Sequence, residues 1–179
     1  MFKAVIISGP LAQDHEFIYP YYRLLEETCK LDVCLVGGKP TNGILGTTLP
    51  PNKDHKVKDI DEIKPEDYDL LVLPGGVKAM EKIRQNISLI KFIKNFYQLN
   101  NKNTIACICS GTQLLISAKI IKGKKISGYY SMKDDIINAG ANYIDEEVVS
   151  DSRIFTTAHY KDMAPWLKAA IDYVKANKK

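Results

Sequence analysis

The sequence predicts an α/β fold in which a mainly parallel sheet is covered by helices on both faces. Short, continuous apolar runs at residues 4–7, 70–73 and 104–108 are typical of strands that are buried on both sides. Helical patterns separate these runs, and such alternation favours parallel strands. A chain of 179 residues is long enough to bury one core. We therefore expect residues 1–179 to form a single domain.

The N-terminal half begins with the strand at residues 4–7. Apolar side chains then recur at helical spacing over residues 17–28. A second strand follows at residues 31–36 and ends at two glycines. Residues 39–58 are rich in Gly, Pro, Thr and Asn, which predicts extended excursions and a hairpin rather than a helix.

The C-terminal half continues the alternation of strands and helices. Its predicted strands are residues 70–73, 104–108, 125–127, 147–149 and 154–156. Its predicted helices are one after Gly76 with Ile90, Ile93 and Tyr97 on one face, one at residues 111–118, and one with an apolar stripe from Met163 to Val174. The helix at 111–118 is apolar on nearly every side, so we expect it in the interior.

Ligands of parallel α/β sheets bind beyond the carboxyl ends of the strands. Three loops follow predicted strands at that edge: the loop after Ser8, residues 74–77, and the turn at Cys109. The fold class alone therefore predicts a functional site formed by these three loops.

Cys109 stands between the strand at 104–108 and the interior helix that begins at Gly111. Amide groups and the positive dipole end at a helix N-terminus favour a thiolate over a thiol. We therefore predict that Cys109 is a nucleophile with a depressed pKa. The alternative is that Cys109 is a small buried hydrophobic residue, as Cys107 is expected to be.

Two neighbouring segments are candidates to support Cys109. Gly75 and Gly76 allow backbone amides to turn towards an anion, and with the amide of Ser110 they would form an oxyanion and substrate-binding hole. A plain tight turn is the alternative. Glu16 is either a charge at a helix N-terminus or, if it points inwards, a carboxyl that shares a proton with a thiolate.

Composition and motifs argue against several other classes of function. The net charge of +4 comes from scattered lysines without a nucleic-acid-binding motif, so we expect no nucleic-acid partner. No apolar run approaches the ~18 residues of a membrane span and no signal peptide precedes the first strand, which predicts a cytoplasmic protein without a membrane partner. The four cysteines lack a Cys-x-x-Cys pattern, and the loop after Ser8 lacks a nucleotide-binding motif. We expect no metal and no organic cofactor.

Four stretches spread over the chain carry a family resemblance. They are Glu16-Phe-Ile-Tyr-Pro-Tyr-Tyr-Arg-Leu24, Leu70-Leu-Val-Leu-Pro-Gly-Gly76, Ala106-Cys-Ile-Cys-Ser-Gly111 and Lys133-Asp-Asp-Ile-Ile-Asn-Ala-Gly140. In this order they resemble the ThiJ/PfpI family, which includes PfpI-type intracellular peptidases and the parkinsonism-associated deglycase.

The resemblance implies a flavodoxin-like three-layer sandwich with a nucleophile elbow at Cys109. It also implies that Glu16 hydrogen-bonds the Cys109 sulfur and that the amides of Gly76 and Ser110 form the oxyanion hole. A homodimer or a larger homo-oligomer is the implied assembly.

The chain also departs from the family pattern. PfpI-type members usually have histidine directly after the nucleophile, where this chain has Ser110. The deglycase branch takes a histidine from another segment, which corresponds here to Tyr129. Gln13 replaces an acidic residue that is common in the first loop. Near the C-terminus, a usual Ser-Arg-x-Pro is replaced by Thr157-Ala-His-Tyr160.

Three histidines are available as a substitute base. His55 lies in a hydrophilic excursion and is expected to face solvent, and His15 should point away from its neighbour Glu16. His159 follows a strand that should end at the same sheet edge as Cys109. We predict that His159 approaches Cys109 and acts as base or proton shuttle; a plain loop histidine is the alternative.

Two functions remain open from the sequence. The first is an enzyme in which Cys109 attacks a small reactive carbonyl or a glycated protein, as in the glyoxalase and deglycase members that the chain resembles. The second is a non-catalytic redox sensor or holdase, since an accessible low-pKa cysteine is readily oxidised. PfpI-type peptidase activity is less favoured, because Ser110 stands in place of the usual histidine.

Overall fold

The structure is a computed structural model that describes residues 1–177. Its strands are β1 (Phe2–Ser8), β2 (Cys29–Leu35), β3 (Thr41–Asn42), β4 (Thr48–Leu49), β5 (Val57–Lys58), β6 (Leu70–Leu73), β7 (Thr104–Ile108), β8 (Lys125–Ile126), β9 (Asn142–Tyr143), β10 (Val149–Asp151) and β11 (Ile154–Thr157). Its α-helices are α1 (Asp14–Leu25), α2 (Val77–Ile83), α3 (Ile87–Leu99), α4 (Thr112–Ser117), α5 (Lys133–Asn138) and α6 (Met163–Asn177). None of the helices within residues 1–177 combines the length and the apolar character needed to cross a bilayer.

The central sheet has seven strands in the order β10-β11-β7-β6-β1-β2-β5. All neighbours are parallel except β10, which pairs antiparallel with β11. Leu73 pairs with Cys107 and Thr157 pairs with Ile108, so β6, β7 and β11 end together. Cys109 follows directly, at the carboxyl edge of the sheet.

Helices cover both faces of this sheet. Helices α1 and α6 pack together on one face, with α6 against β7 and β11. Helix α4 contacts both α2 and α3 on the other face. Trp166 of α6 is fully buried and donates a hydrogen bond from Nε1 to the Phe155 carbonyl oxygen (3.0 Å), which ties α6 to β11. The flavodoxin-like three-layer arrangement predicted from the sequence is confirmed.

Most predicted elements lie where the patterns place them. Strands β6 and β7 have the predicted bounds, and residues 39–58 contain the expected hairpin, formed by β3 and β4. The single helix predicted after Gly76 is instead two helices, because the Asn86 side chain accepts a hydrogen bond from the Leu89 amide (3.0 Å) and starts a new helix there. Strands β5 and β9 and helix α5 were not predicted as elements; all three are short, and of these only β5 joins the central sheet, at its edge.

Candidate active site

Cys109 occupies a strained turn between β7 and α4. Its φ of +58° lies in the left-handed region, which non-glycine residues rarely adopt. A 3₁₀ turn over Cys109–Gly111 follows, and α4 begins at Thr112. A sharp, strained strand-to-helix turn that exposes its nucleophile at the sheet edge is the geometry of a nucleophile elbow.

Gly111 permits this turn to pack against the neighbouring strand. A Cβ atom at this position would lie 2.7 Å from the Leu73 carbonyl oxygen and 3.1 Å from the Cys107 sulfur. The first distance is shorter than a methyl group tolerates, and the second would require the Cys107 side chain to shift. Close packing against the end of β6 is what requires glycine at this position.

The Glu16 side chain points inwards from the first turn of α1 and is only 1% exposed. Its Oε2 accepts a hydrogen bond from the Gly75 amide (2.8 Å), and its carboxyl is also hydrogen-bonded to the Cys109 thiol. Burial raises the pKa of Glu16 to about 7, although both hydrogen bonds act to lower it. Glu16 can therefore exchange a proton near neutral pH.

The pKa of Cys109 is raised to about 12 in this environment. Burial of the sulfur is the main cause and the negative charge of Glu16 adds to it, while hydrogen bonds from the Ser110 and Gly76 amides oppose the shift. The depressed pKa expected from the sequence is therefore wrong. Helix α4 has only six residues and contributes too little to offset burial beside a carboxylate.

Gly75 and Gly76 lie beside the Glu16 and Cys109 side chains, and neither glycine has room for a side chain of its own. A Cβ on Gly75 would be 2.4 Å from Glu16 Oε2 and 2.8 Å from the Cys109 Cβ. Gly76 has a φ of +101°, and a Cβ there would lie 2.4 Å from the Gln13 nitrogen. The Gly75 amide is engaged by Glu16, whereas the Gly76 and Ser110 amides reach the sulfur.

A cavity of about 270 Å³ opens above Cys109. It is lined by Gln13, Glu16, Ile44, Gly76, Val77, Cys109, Ser110, Tyr129, His159 and Tyr160. The structure thus places every predicted site residue except Gly75 in the wall of one cavity, and Gly75 lies directly behind it, against Glu16 and Cys109. The cavity has the size of a site for a small molecule.

His159 shares this cavity with Cys109 and is held from two sides. Its Nδ1 accepts a hydrogen bond from the Lys161 amide (3.2 Å), and its ring packs against Tyr160 with centroids 4.0 Å apart. His15 is exposed and stacks on Tyr160. His55, expected to face solvent, is half-buried with its Nδ1 3.1 Å from the Tyr21 hydroxyl, because its loop folds back on α1.

Sequence reasoning did not identify Ile44 and Tyr160 as cavity residues. Ile44 arrives from the loop between β3 and β4, where its amide donates to the Ala12 carbonyl oxygen (2.9 Å). Buried Asp14 fixes the same loop by accepting hydrogen bonds from the Leu45 and Thr47 amides (2.8 and 2.9 Å). These are tertiary contacts without a periodic sequence pattern.

Within residues 1–177, no group of three or more His, Cys, Asp or Glu side chains is arranged to hold a metal ion. All four cysteines are free; Cys34 and Cys107 are buried, while Cys29 and Cys109 are half-buried. The cavity offers a thiol, a proton-exchanging carboxyl, an imidazole and two backbone amides, among other groups.

A cysteine elbow at the carboxyl edge of a flavodoxin-like sheet, with a buried glutamate beside it, defines the class of this protein. A sequence profile of the DJ-1/PfpI family matches residues 2–173, and the chain belongs to that family. Deglycase PfpI of Pyrococcus furiosus is 33% identical over 173 residues, which cover 97% of this chain and 99% of the relative.

Two further comparisons concern a second relative and a solved structure. The candidate cysteine protease YraA of Bacillus subtilis is 36% identical over 141 residues, which cover 79% of each chain. Among solved structures, Schizosaccharomyces pombe DJ-1 matches with a TM-score of 0.82 at 19% identity, covering 98% of this chain and 96% of that one. The structural match supports the fold.

Proposed function

We propose that this protein is a cofactor-independent enzyme in which Cys109 adds to small reactive carbonyls or to their adducts on proteins. The hydrogen-bonded pair of Glu16 and Cys109 carries this proposal, because it joins a nucleophile to a group that exchanges protons near neutral pH. Relatives named as deglycases and as a candidate cysteine protease support a deglycase-like or protease-like role.

In the first step, the Cys109 sulfur attacks the carbonyl carbon while Glu16 accepts the thiol proton. A pKa of about 7 suits Glu16 as a general base, whereas a free thiolate is disfavoured by burial. The carbonyl π bond breaks, and its oxygen becomes an oxyanion. The amides of Gly76 and Ser110, which reach the sulfur, are assigned as the donors to that oxygen. Protonation of the oxyanion gives a hemithioacetal.

With a 2-oxoaldehyde, the hemithioacetal rearranges by proton transfer alone. A base removes the proton from the carbon bonded to sulfur, and the neighbouring carbon then receives a proton, which gives the thioester of a 2-hydroxy acid. Water cleaves the thioester, releases the 2-hydroxy acid and restores the thiol. Glu16 is the carboxylate closest to Cys109 for these transfers, since the two side chains are hydrogen-bonded.

His159 is assigned as a hydrogen-bond donor rather than as the base. Its Nδ1 accepts the Lys161 amide, so the other ring nitrogen, Nε2, carries an N–H group. The ring therefore offers the cavity a donor. A base role would need a free ring lone pair, and Nδ1 is already engaged. His159 thus serves to bind a substrate oxygen, and Glu16 carries the proton.

Peptidase activity is the less favoured alternative within the same family. Ser110 replaces the histidine that usually follows the nucleophile, and a serine hydroxyl cannot form the thiolate–imidazolium pair of a cysteine protease. The half-buried Cys109 lies in a cavity of about 270 Å³, which accommodates a small carbonyl compound more readily than an extended peptide.

Turnover of methylglyoxal by the purified protein tests the proposed function. We expect the wild type to consume methylglyoxal and form lactate, and Cys109→Ala to abolish both. Cys29→Ala is the matched control, because Cys29 is the other half-buried cysteine and lies outside the cavity. Equal turnover in the wild type and in Cys109→Ala, or no turnover in the wild type, would refute the proposal.

A redox role is a second candidate, favoured by one observation. The Ser110 and Gly76 amides that reach the sulfur would also bind the negatively charged oxygens of an oxidised cysteine. Intact-mass and peptide analysis after peroxide treatment tests this role. Selective oxidation of Cys109 over Cys29 supports it, and equal oxidation of the two excludes it. Assembly into a homodimer or larger homo-oligomer stays a prediction for sedimentation analysis.

A further inference from the structure

Two polar side chains in the wall of the Cys109 cavity lack a hydrogen-bond partner. Ser110 is only 4% exposed and its Oγ has no partner, and the Oε1 of Gln13 is likewise buried and unpaired. Both residues line the cavity. Buried polar atoms are usually satisfied, so an unpaired pair beside a nucleophile points to a ligand that supplies the missing bonds.

The backbones of both residues are held close to the reacting atoms. Ser110 follows Cys109 directly, and its amide reaches the sulfur. The backbone amide of Gln13 donates to the Gly75 carbonyl oxygen (3.2 Å), and the Gln13 nitrogen lies 2.4 Å from where a Cβ on Gly76 would be. Gln13 and Ser110 therefore lie next to the two amides assigned to the oxyanion. One torsion moves the Ser110 hydroxyl, so a bound ligand can reach it without backbone movement.

Neither side chain carries a charge: a serine hydroxyl and a glutamine amide both bind ligands through hydrogen bonds. This pair therefore favours neutral polar ligands over charged ones.

We propose that Ser110 and Gln13 form a subsite for an oxygen on the carbon next to the attacked carbonyl. A hydroxyl there would donate to Gln13 Oε1 and accept from the Ser110 hydroxyl, and an oxo group would accept from Ser110. The substrates selected are thus 2-hydroxy and 2-oxo aldehydes. This inference rests on the proposed addition of Cys109 to carbonyls and adds the residues that choose among them.

The step to be measured is the reversible addition itself. The sulfur–carbon bond forms, the carbonyl π bond breaks, and the thiol proton ends on the new hydroxyl, so no oxidant or other reactant is required. A hemithioacetal at Cys109 blocks alkylation of the sulfur. Protection against iodoacetamide therefore reports the apparent affinity for an aldehyde without any need for turnover.

Glycolaldehyde and acetaldehyde are the matched probes, because they differ by a single hydroxyl oxygen. The preference of Cys109 is the ratio of the protection constants for the two aldehydes. Dividing it by the same ratio measured for N-acetylcysteine corrects for the intrinsic reactivity of the aldehydes. We expect a corrected preference for glycolaldehyde of about tenfold in the wild type, the size of one or two satisfied hydrogen bonds. Ser110→Ala and Gln13→Met should each reduce this preference, and the double variant should remove it.

Ser127→Ala is the control, since Ser127 also has a buried, unpaired hydroxyl but does not line the cavity. It should leave the preference unchanged. A corrected ratio near one in the wild type, or one that survives in the double variant, would show that the two side chains bind only water and would overturn the subsite. Absence of protection by either aldehyde would overturn the proposed function together with the subsite.

Discussion

The Glu16 carboxyl is hydrogen-bonded to the Cys109 thiol in the wall of the cavity, beside the Gly76 and Ser110 amides that reach the sulfur. Burial raises the pKa of both groups, to about 7 for Glu16 and to about 12 for Cys109. Near neutral pH, the pair therefore holds a proton on sulfur and has a carboxylate ready to accept it.

Replacing Glu16 should separate thiol reactivity from catalysis. Glu16→Gln removes the negative charge that helps to raise the Cys109 pKa, so that pKa should fall and alkylation at pH 8 should accelerate. Turnover of methylglyoxal should nevertheless fall by about 10²–10⁴-fold, because the general base is lost. The measurements are pH-dependent alkylation of Cys109 and steady-state kinetics. If the alkylation rate of Cys109 and the turnover of methylglyoxal both rise or both fall, the assigned role of Glu16 is contradicted.

The raised pKa of Glu16 should also make stability depend on pH. Between its ordinary value of 4.5 and about 7, the folded protein keeps a proton that the unfolded chain has lost. The free energy of unfolding should therefore decrease as pH rises through this window, by about 3 kcal/mol for this group. Glu16→Gln should lack this decrease and gain stability relative to the wild type between pH 4 and pH 8.

Urea denaturation at these two pH values measures that difference. Glu81→Gln changes an exposed carboxyl on α2 and serves as the control. If the two variants show the same pH dependence, Glu16 does not have a raised pKa in the folded protein.

Gly75 should be intolerant of even one methyl group. In Gly75→Ala the new Cβ would meet Glu16 Oε2 at 2.4 Å and the Cys109 Cβ at 2.8 Å, so the pair must separate. We expect a loss of about 1–3 kcal/mol in the free energy of unfolding and at least a tenfold loss of turnover. Gly123→Ala is the control: it strains a positive φ of +76° but meets no atom within 4 Å, so turnover should persist.

Two substitutions of His159 test its proposed role as a hydrogen-bond donor. His159→Ala removes the proposed donor and should lower kcat, whereas His159→Gln keeps an N–H group and should retain more activity. His55→Gln, at a histidine bonded to Tyr21 away from the cavity, should leave kinetics unchanged. Equal losses in His159→Ala and His159→Gln would instead favour a role that needs the imidazole itself.

The periodic parts of the fold were predictable from sequence. Continuous apolar runs located β6 and β7 to the residue, and alternation with helices gave a parallel sheet whose carboxyl edge holds the site. The same logic placed Cys109, Gly76 and His159 near one another. The split between α2 and α3 was missed because it depends on a single capping side chain, Asn86.

The electrostatics of the site were not predictable in the same way. A position before a helix suggested a low pKa for Cys109, but the pKa is set by burial and by a carboxylate brought in from α1. Local sequence does not report the depth of a side chain. The contribution of Ile44 was hidden for a related reason, since buried Asp14 fixes its loop through long-range hydrogen bonds.

Carbon NMR with methylglyoxal labelled at its aldehyde carbon tests the central claim most directly. On mixing with the wild type, we expect a hemithioacetal resonance followed by the carboxyl resonance of lactate. Cys109→Ser should give neither, and Cys29→Ala should give both. A lactate resonance that grows equally in the wild type and in Cys109→Ser would contradict the assignment of Cys109 as the nucleophile.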